Sequence, residues 1–172
     1  RRCERVWVPS HDKRRTLESL VGALPNLEVE TMVAEVVTPM APAKRPGPGP
    51  IRVLYLGRLI RQKGVDVLLE ALAQADALEG RYVLDVAGDG PERGKLERMA
   101  RRLGVSAHFH GFVDERGRAA VLRGADVMVV PSRPVGLLSE GAPLVVVEGL
   151  RAGLPVIASD AGGIPELAEG EP

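Results

Sequence analysis

The residues best suited to chemistry lie in a few glycine-punctuated stretches. Gly57-Arg58-Leu59-Ile60-Arg61-Gln62-Lys63-Gly64 follows an apolar run and opens a segment of helical periodicity. A helix amino terminus presents unpaired N–H groups and the positive end of the dipole. Arg58 adds a planar fork and Lys63 a mobile point charge, a combination suited to a pyrophosphate. The competing reading is a loop with solvated cations. Gly88-Asp89-Gly90-Pro91 comes after a second apolar run. Pro91 suits the first helical position and Asp89 a cap, so a strand-to-helix turn accounts for it fully.

Glu140 and Glu148 are separated by seven residues. Ionised carboxylates are strong acceptors and could hold sugar hydroxyls. Spacing alone equally fits two surface glutamates. Between them the Leu144-Val145-Val146-Val147 run could be a strand by propensity. It could also be a helix, with Pro143 in its first turn and Gly153 just beyond its end. In Ala158–Glu166, Gly162 and Gly163 allow close backbone approach, and Ser159 and Asp160 suit a turn or a cap. His108 and His110 alternate along a strand and share a face, a spacing open to metal ligation. No further ligand stands near them in sequence, which favours partly exposed strand histidines.

These loops need elements to position them. Ile51 to Leu56, Tyr82 to Ala87, Ala107 to Phe112, Asp126 to Val130 and Pro155 to Ala158 read as strands. Val65 to Ala75, Pro91 to Leu103 and Asp114 to Arg123 read as helices between them. The alternation predicts an α/β fold with a doubly wound parallel sheet, covered on both faces because its strands are nearly continuously apolar. Ligands bind beyond the carboxyl ends of such strands, where the loops above lie. Upstream, Val6 to Val8 is a short strand, Ser10 caps a helix running to about Leu24, and Leu27 to Val37 has no assigned type. Val8-Pro9-Ser10 and Val130-Pro131-Ser132 form a faint echo. Residues 38 to 50 hold five prolines and two glycines and read as a linker. The expected organisation is therefore residues 1–37 as the remnant of an amino-terminal domain, 38–50 as linker and 51–172 as a Rossmann-like domain.

Composition narrows the function classes. Lys plus Arg and Asp plus Glu number 23 each, so net charge argues for no nucleic-acid partner. Aromatic residues make up only 3%, too few for a base-stacking platform. The single cysteine, Cys3, excludes an intrachain disulfide framework and suits a cytosolic setting. No apolar run reaches the ~20 residues that span a bilayer. The start at Arg1 without an initiator methionine and the abrupt end at Pro172 suggest a fragment, incomplete at both ends.

Taken together, GRLIRQKGVDVLLEAL (57–72), VAGDGPERGKLERMARRLG (86–104), HGFV (110–113) and SEGAPLVVVEGLRAGLPVIASDAGGIPEL (139–167) resemble the carboxy-terminal domain of retaining glycosyltransferases of the family 4, or group 1, type. The last stretch resembles the family's E-x7-E motif. The resemblance implies one Rossmann-like half of a GT-B fold, which binds a nucleoside-diphosphate sugar and transfers the sugar to an unidentified acceptor with retention. It implies no required metal or other cofactor, in keeping with the lack of a D-x-D motif, and a cytoplasmic parent protein, free or peripherally attached to a membrane. By the same resemblance, Arg58 and Lys63 contact the donor phosphates and Glu140 the transferred sugar, the groups assigned to catalysis. Glu148 takes the ribose, Phe112 and Val113 border the base, and Gly57, Gly88, Leu144 and Val145 complete the nucleotide site.

The sequence departs from the family where Ala142 and Pro143 replace the usual aromatic and glycine. Pro143 has no N–H, so one amide donor to the ligand is lost. That departure keeps open a non-catalytic nucleotide-binding module. A dinucleotide oxidoreductase is disfavoured, since the loop after Leu56 lacks G-x-G-x-x-G and no acidic residue ends the second strand in the usual place.

Overall fold

A computed structural model describes residues 6–30, 49–75, 81–136, 141 and 143–168. Strand β1 (Val6–Val8), helix α1 (His11–Val21) and strand β2 (Leu27–Val29) form a small β-α-β unit whose strands pair in parallel. Ser10, almost fully buried, caps α1 by accepting from the Lys13 N–H at 3.2 Å. The helix stops at Val21, short of the expected Leu24, because Gly22 turns the chain out with φ 84°. The segment after Glu30, including most of the expected linker, lies outside the described residues.

From Ile51 the chain alternates as its periodicity predicts: β3 (Ile51–Leu56), a 3-10 turn (Arg61–Lys63), α2 (Val65–Gln74), β4 (Tyr82–Ala87), α3 (Arg93–Leu103), β5 (Ala107–Gly111), α4 (Glu115–Gly124), β6 (Val127–Val130), α5 (Leu144–Arg151), β7 (Val156–Ala158) and α6 (Ile164–Ala168). The five strands pair in parallel in the order β5-β4-β3-β6-β7. The chain winds outward from β3 to β5, then returns to β6 on the other side of β3. The order reverses between β3 and β6, which makes this the switch point of the sheet.

Period-two alternation divides the apolar residues between two layers. Val53, Tyr55, Leu84 and Val86 pack with Leu68 and Leu69 of α2 and Leu96 of α3. Leu54, Leu56, Ala87, Met128 and Val130 pack with Leu122 of α4 and Val146 of α5. The valine-rich segment left open by propensity is helix α5. Its Gly149 lies so close to β6 that an added Cβ would sit 2.6 Å from the Met128 sulfur, so tertiary packing overrides the strand preference of valine.

Tyr82 is buried, and its hydroxyl donates to the Leu72 carbonyl at 3.3 Å. Burial raises its pKa above the ordinary 10.0. The folded chain then keeps a proton that the unfolded chain loses, so stability falls as pH rises through and above that value. Tyr82→Phe should flatten this alkaline loss, measured as the denaturant midpoint at pH 9 against about pH 11. An equally steep loss in the variant would assign it to other groups.

The small β-α-β unit is seated on the end of the main sheet. Glu166 of α6 accepts from the backbone N–H groups of His11 (2.9 Å) and Asp12 (3.2 Å) at the start of α1. A Cβ on Gly163 would lie 1.8 Å from the Gly141 carbonyl oxygen and 2.7 Å from the Ser10 Cβ. The glycine-rich stretch after β7 is therefore a contact surface for the Pro9-Ser10 turn. No described helix is long and apolar enough to cross a membrane.

Candidate functional site

The loops at the carboxyl ends of the strands are laced together by backbone hydrogen bonds. The Gly57 N–H donates to Ala87 at 3.0 Å, Leu59 to Asp89 at 2.9 Å and Gly88 to Gly111 at 2.7 Å. These bonds bring Gly57 and Gly88 beside each other. At Gly88, with φ 142°, a Cβ would stand 1.9 Å from the Gly57 carbonyl oxygen, so only glycine fits. Below this surface the buried Tyr55 hydroxyl donates to the Arg58 carbonyl at 2.8 Å and fixes the turn from inside the core. Arg58 itself is exposed, while Lys63, at the end of the 3-10 turn, is partly buried.

The loop after β3 also meets the loop after β6. Gly64, left-handed at φ 66°, lies against Pro131, and the Arg133 N–H donates to the Gln62 carbonyl at 2.9 Å. Arg133 further pairs with Asp66 in the first turn of α2 at 2.6 Å. The helix that follows Lys63 starts at Val65, so the basic loop reaches a helix amino terminus through a 3-10 turn.

Beyond β5, Phe112 is 82% exposed, and Val113 is partly buried against the α4–α5 core layer. Asp114 caps α4, accepting from the Gly117 N–H at 2.7 Å. At the start of α5, Pro143 is buried, Leu144 is exposed and Val145 packs partly into the same layer. Glu148 is the fifth residue of α5, and both its oxygens contact the Arg118 Nη1 of α4, at 2.6 and 2.8 Å. Glu140 lies outside the described residues.

The histidine pair belongs to a different place. Asp85 is buried on β4 and accepts from the Arg52 Nη2 at 2.6 Å, while the His110 Nε2 lies 2.7 Å from its other oxygen. His108 Nδ1 is 3.8 Å from the same carboxylate and the ring is largely exposed. Arg52 thus pairs with the buried Asp85 carboxylate, and among the described residues no group of three or more side chains is arranged to hold a metal ion.

A sequence profile described as glycosyl transferases group 1 matches residues 40–171. This chain belongs to that family. Over 128 residues it is 35% identical to a glycogen synthase of Mycobacterium tuberculosis, covering 72% of this chain and 29% of that protein. Over 118 residues it is 36% identical to the GDP-mannose-dependent alpha-(1-6)-phosphatidylinositol monomannoside mannosyltransferase of Mycolicibacterium smegmatis, covering 66% of this chain and 31% of that enzyme. The chain thus spans under a third of the length of these relatives. Its fold is similar to Anabaena HepE, solved with UDP and glucose, at TM-score 0.72 and 21% identity over 96% of this chain and 46% of that one. The five-stranded parallel sheet with helices on both faces is a Rossmann-like half of a GT-B fold.

Within this group 1 glycosyltransferase chain, three contacts were not legible beforehand. Arg118 reaches Glu148, Arg133 reaches Asp66, and Glu166 caps α1. Each joins residues far apart in sequence, and each looks in sequence like an ordinary surface charge. The Ser10 and Ser132 echo has a structural counterpart, because both serines are buried at the end of a strand.

Proposed function

We propose that this chain is the donor-binding part of an enzyme that moves a sugar from a nucleoside-diphosphate sugar to an acceptor, with retention at the anomeric carbon. The observation that carries the reading is the convergence of the loops after β3, β4 and β5 at the carboxyl end of the sheet, with Arg58 and Lys63 on the first of them. A mannosyltransferase relative is named for GDP-mannose, and a structural neighbour was solved with UDP and glucose, so a nucleoside-diphosphate donor is in keeping with both.

Departure of a nucleoside diphosphate builds negative charge on the pyrophosphate. Arg58, Lys63 and the amides at the start of α2 would stabilise that charge more in the transition state than in the ground state. In this reading Glu140 contacts the transferred sugar, Glu148 accepts from the ribose hydroxyls, and the exposed Phe112 with Val113 borders the base. Gly57 and Gly88 admit the phosphates closely, and Leu144 and Val145 present the start of α5 to the nucleotide. Leaving-group stabilisation of this kind requires no metal ion. Residues 51–172 are the donor domain, 38–50 the linker and 1–37 the end of an amino-terminal domain. The acceptor would be bound largely by the rest of that domain, and the parent enzyme would work in the cytoplasm or at a membrane surface.

Calorimetric titration with UDP, GDP and ADP, with and without EDTA, tests the reading. EDTA-insensitive binding of one nucleotide that is lost in Glu148→Ala is the expected result. Binding that needs a divalent ion, or survives Glu148→Ala unchanged, would count against the site as drawn.

A second reading, a nucleotide-binding module without transferase activity, is favoured by one feature. Pro143 is buried at the amino-terminal cap of α5 and offers no N–H there. It predicts nucleotide binding by the parent protein without release of nucleoside diphosphate from any bound nucleotide sugar.

A further inference from the structure

Arg133 follows β6 in the loop that begins Pro131-Ser132. Ser132 is almost fully buried, and the Ser159 hydroxyl donates to its carbonyl, so the arginine starts from a fixed point. It then reaches the loop after β3 twice. Its N–H donates to the Gln62 carbonyl at 2.9 Å, and its Nη2 lies 2.6 Å from Asp66 Oδ2. The two contacts bracket Lys63 and Gly64, and Gly64 itself lies against Pro131. The loops after β3 and β6 flank the switch point of the sheet, the place where doubly wound folds bind ligands.

Asp66 brings a conflict to that place. It is the second residue of α2, where a carboxylate suits the positive end of the helix dipole. The same negative charge opposes any other anion at that end. Asp66 follows Lys63 by three positions, so their Cα atoms lie at most about 11 Å apart. That is close to the Debye length of about 8–10 Å at ordinary ionic strength, and an uncompensated carboxylate would be felt at the lysine. Pairing with Arg133 offsets it. With side-chain exposures of 33% and 23% the pair adds little to stability, so its larger consequence is for the local charge.

We propose that Arg133 is a positioning residue whose pairing with Asp66 keeps the amino-terminal end of α2 open to the phosphates of a nucleoside diphosphate. Arg133 acts through Asp66 and touches no ligand itself. This rests on the reading of Arg58 and Lys63 as the phosphate contacts.

The test is calorimetry on the whole chain with UDP, GDP and ADP beside the corresponding nucleosides. The variants are Arg133→Ala, Asp66→Asn, the two combined, and Arg58→Ala and Lys63→Ala for reference. For the tightest-binding base, Arg133→Ala should weaken the diphosphate about three- to tenfold at low salt, the scale of one charge opposing a diphosphate at this range. The nucleoside should bind as before, because the backbone bond to Gln62 does not involve the side chain. Asp66→Asn alone should bind the diphosphate at least as well as wild type, and the combined variant should recover to within about twofold of it. A combined variant as weak as Arg133→Ala would overturn the proposal, since a direct contact of Arg133 with phosphate or a loosened loop predicts that result. An equal loss for the nucleoside would do the same. Unchanged diphosphate affinity in Arg133→Ala, beside a loss in Arg58→Ala or Lys63→Ala, would overturn the Arg133 role and leave the phosphate reading standing. Unchanged affinity in all three, or no diphosphate binding at all, would overturn the phosphate reading and the proposal with it.

Discussion

Gly64→Ala should destabilise the chain by about 3–5 kcal/mol, the range of the severest single substitutions, and weaken nucleotide binding with it. Gly64 holds φ 66°, which costs a residue with a side chain roughly 1–2 kcal/mol. An added Cβ would also stand 1.9 Å from the Pro131 carbonyl oxygen and 2.9 Å from its carbon. Both atoms are backbone, so no side-chain rotation relieves the overlap. The loops after β3 and β6 would have to separate, losing the bond from the Arg133 N–H to Gln62 and moving Lys63 with them. At this chain size a loss of 1 kcal/mol lowers Tm by about 2–4 °C, so the shift should be roughly 6–20 °C. A change under about 2 °C would mean that the two loops do not approach as closely as described.

Arg58→Ala and Lys63→Ala should each weaken nucleoside-diphosphate binding by about 1–3 kcal/mol, the scale of a lost charge-assisted hydrogen bond. The effects should differ in kind. Arg58 is exposed, so its loss should leave thermal stability nearly unchanged and should be sensitive to salt. Lys63 ends the 3-10 turn and is partly buried, so its loss should also lower the thermal midpoint slightly. Titration of both variants with UDP, GDP and ADP, beside the corresponding nucleosides, checks the assignment. A phosphate role predicts that nucleoside affinity is unaffected. Unchanged affinity for the diphosphates in both variants would remove these residues from the site.

Apart from α5, the identity of the described strands and main helices from Ile51 to Ala158 was legible in sequence because it depends on local periodicity. Continuous apolar runs such as Val53 to Leu56 place side chains on both sheet faces, and Val65, Leu68, Leu69 and Leu72 recur at helical spacing. The parallel, doubly wound arrangement followed because short α crossovers permit little else. The positions of the candidate loops followed in turn, since they come directly after strands, and the group 1 family was recognisable from their ordered motifs.

Boundaries and partners were a different matter. Helix α1 ends at Gly22, and α3 starts at Arg93 after a turn held by the Glu92 N–H on Leu59. The valine run of α5 was ambiguous because its propensity and its capping residues pointed to different structures. Its packing against Met128 through Gly149 resolved that ambiguity. Ile164–Ala168, which the sequence reading assigned to no element, is a short helix whose Glu166 serves α1.

By itself, then, the sequence determined the alternation of elements from β3 to β6, the parallel winding and the loops proposed here for a nucleotide, because each depends on neighbours along the chain. Only the tertiary structure decided that Arg118 faces Glu148, that Gly64 abuts Pro131 and that Glu166 caps α1. Those contacts join residues brought together by the crossover from β5 to β6 and by the seating of the small β-α-β unit. A charge that finds its partner across such a distance carries the same local signature as one facing water.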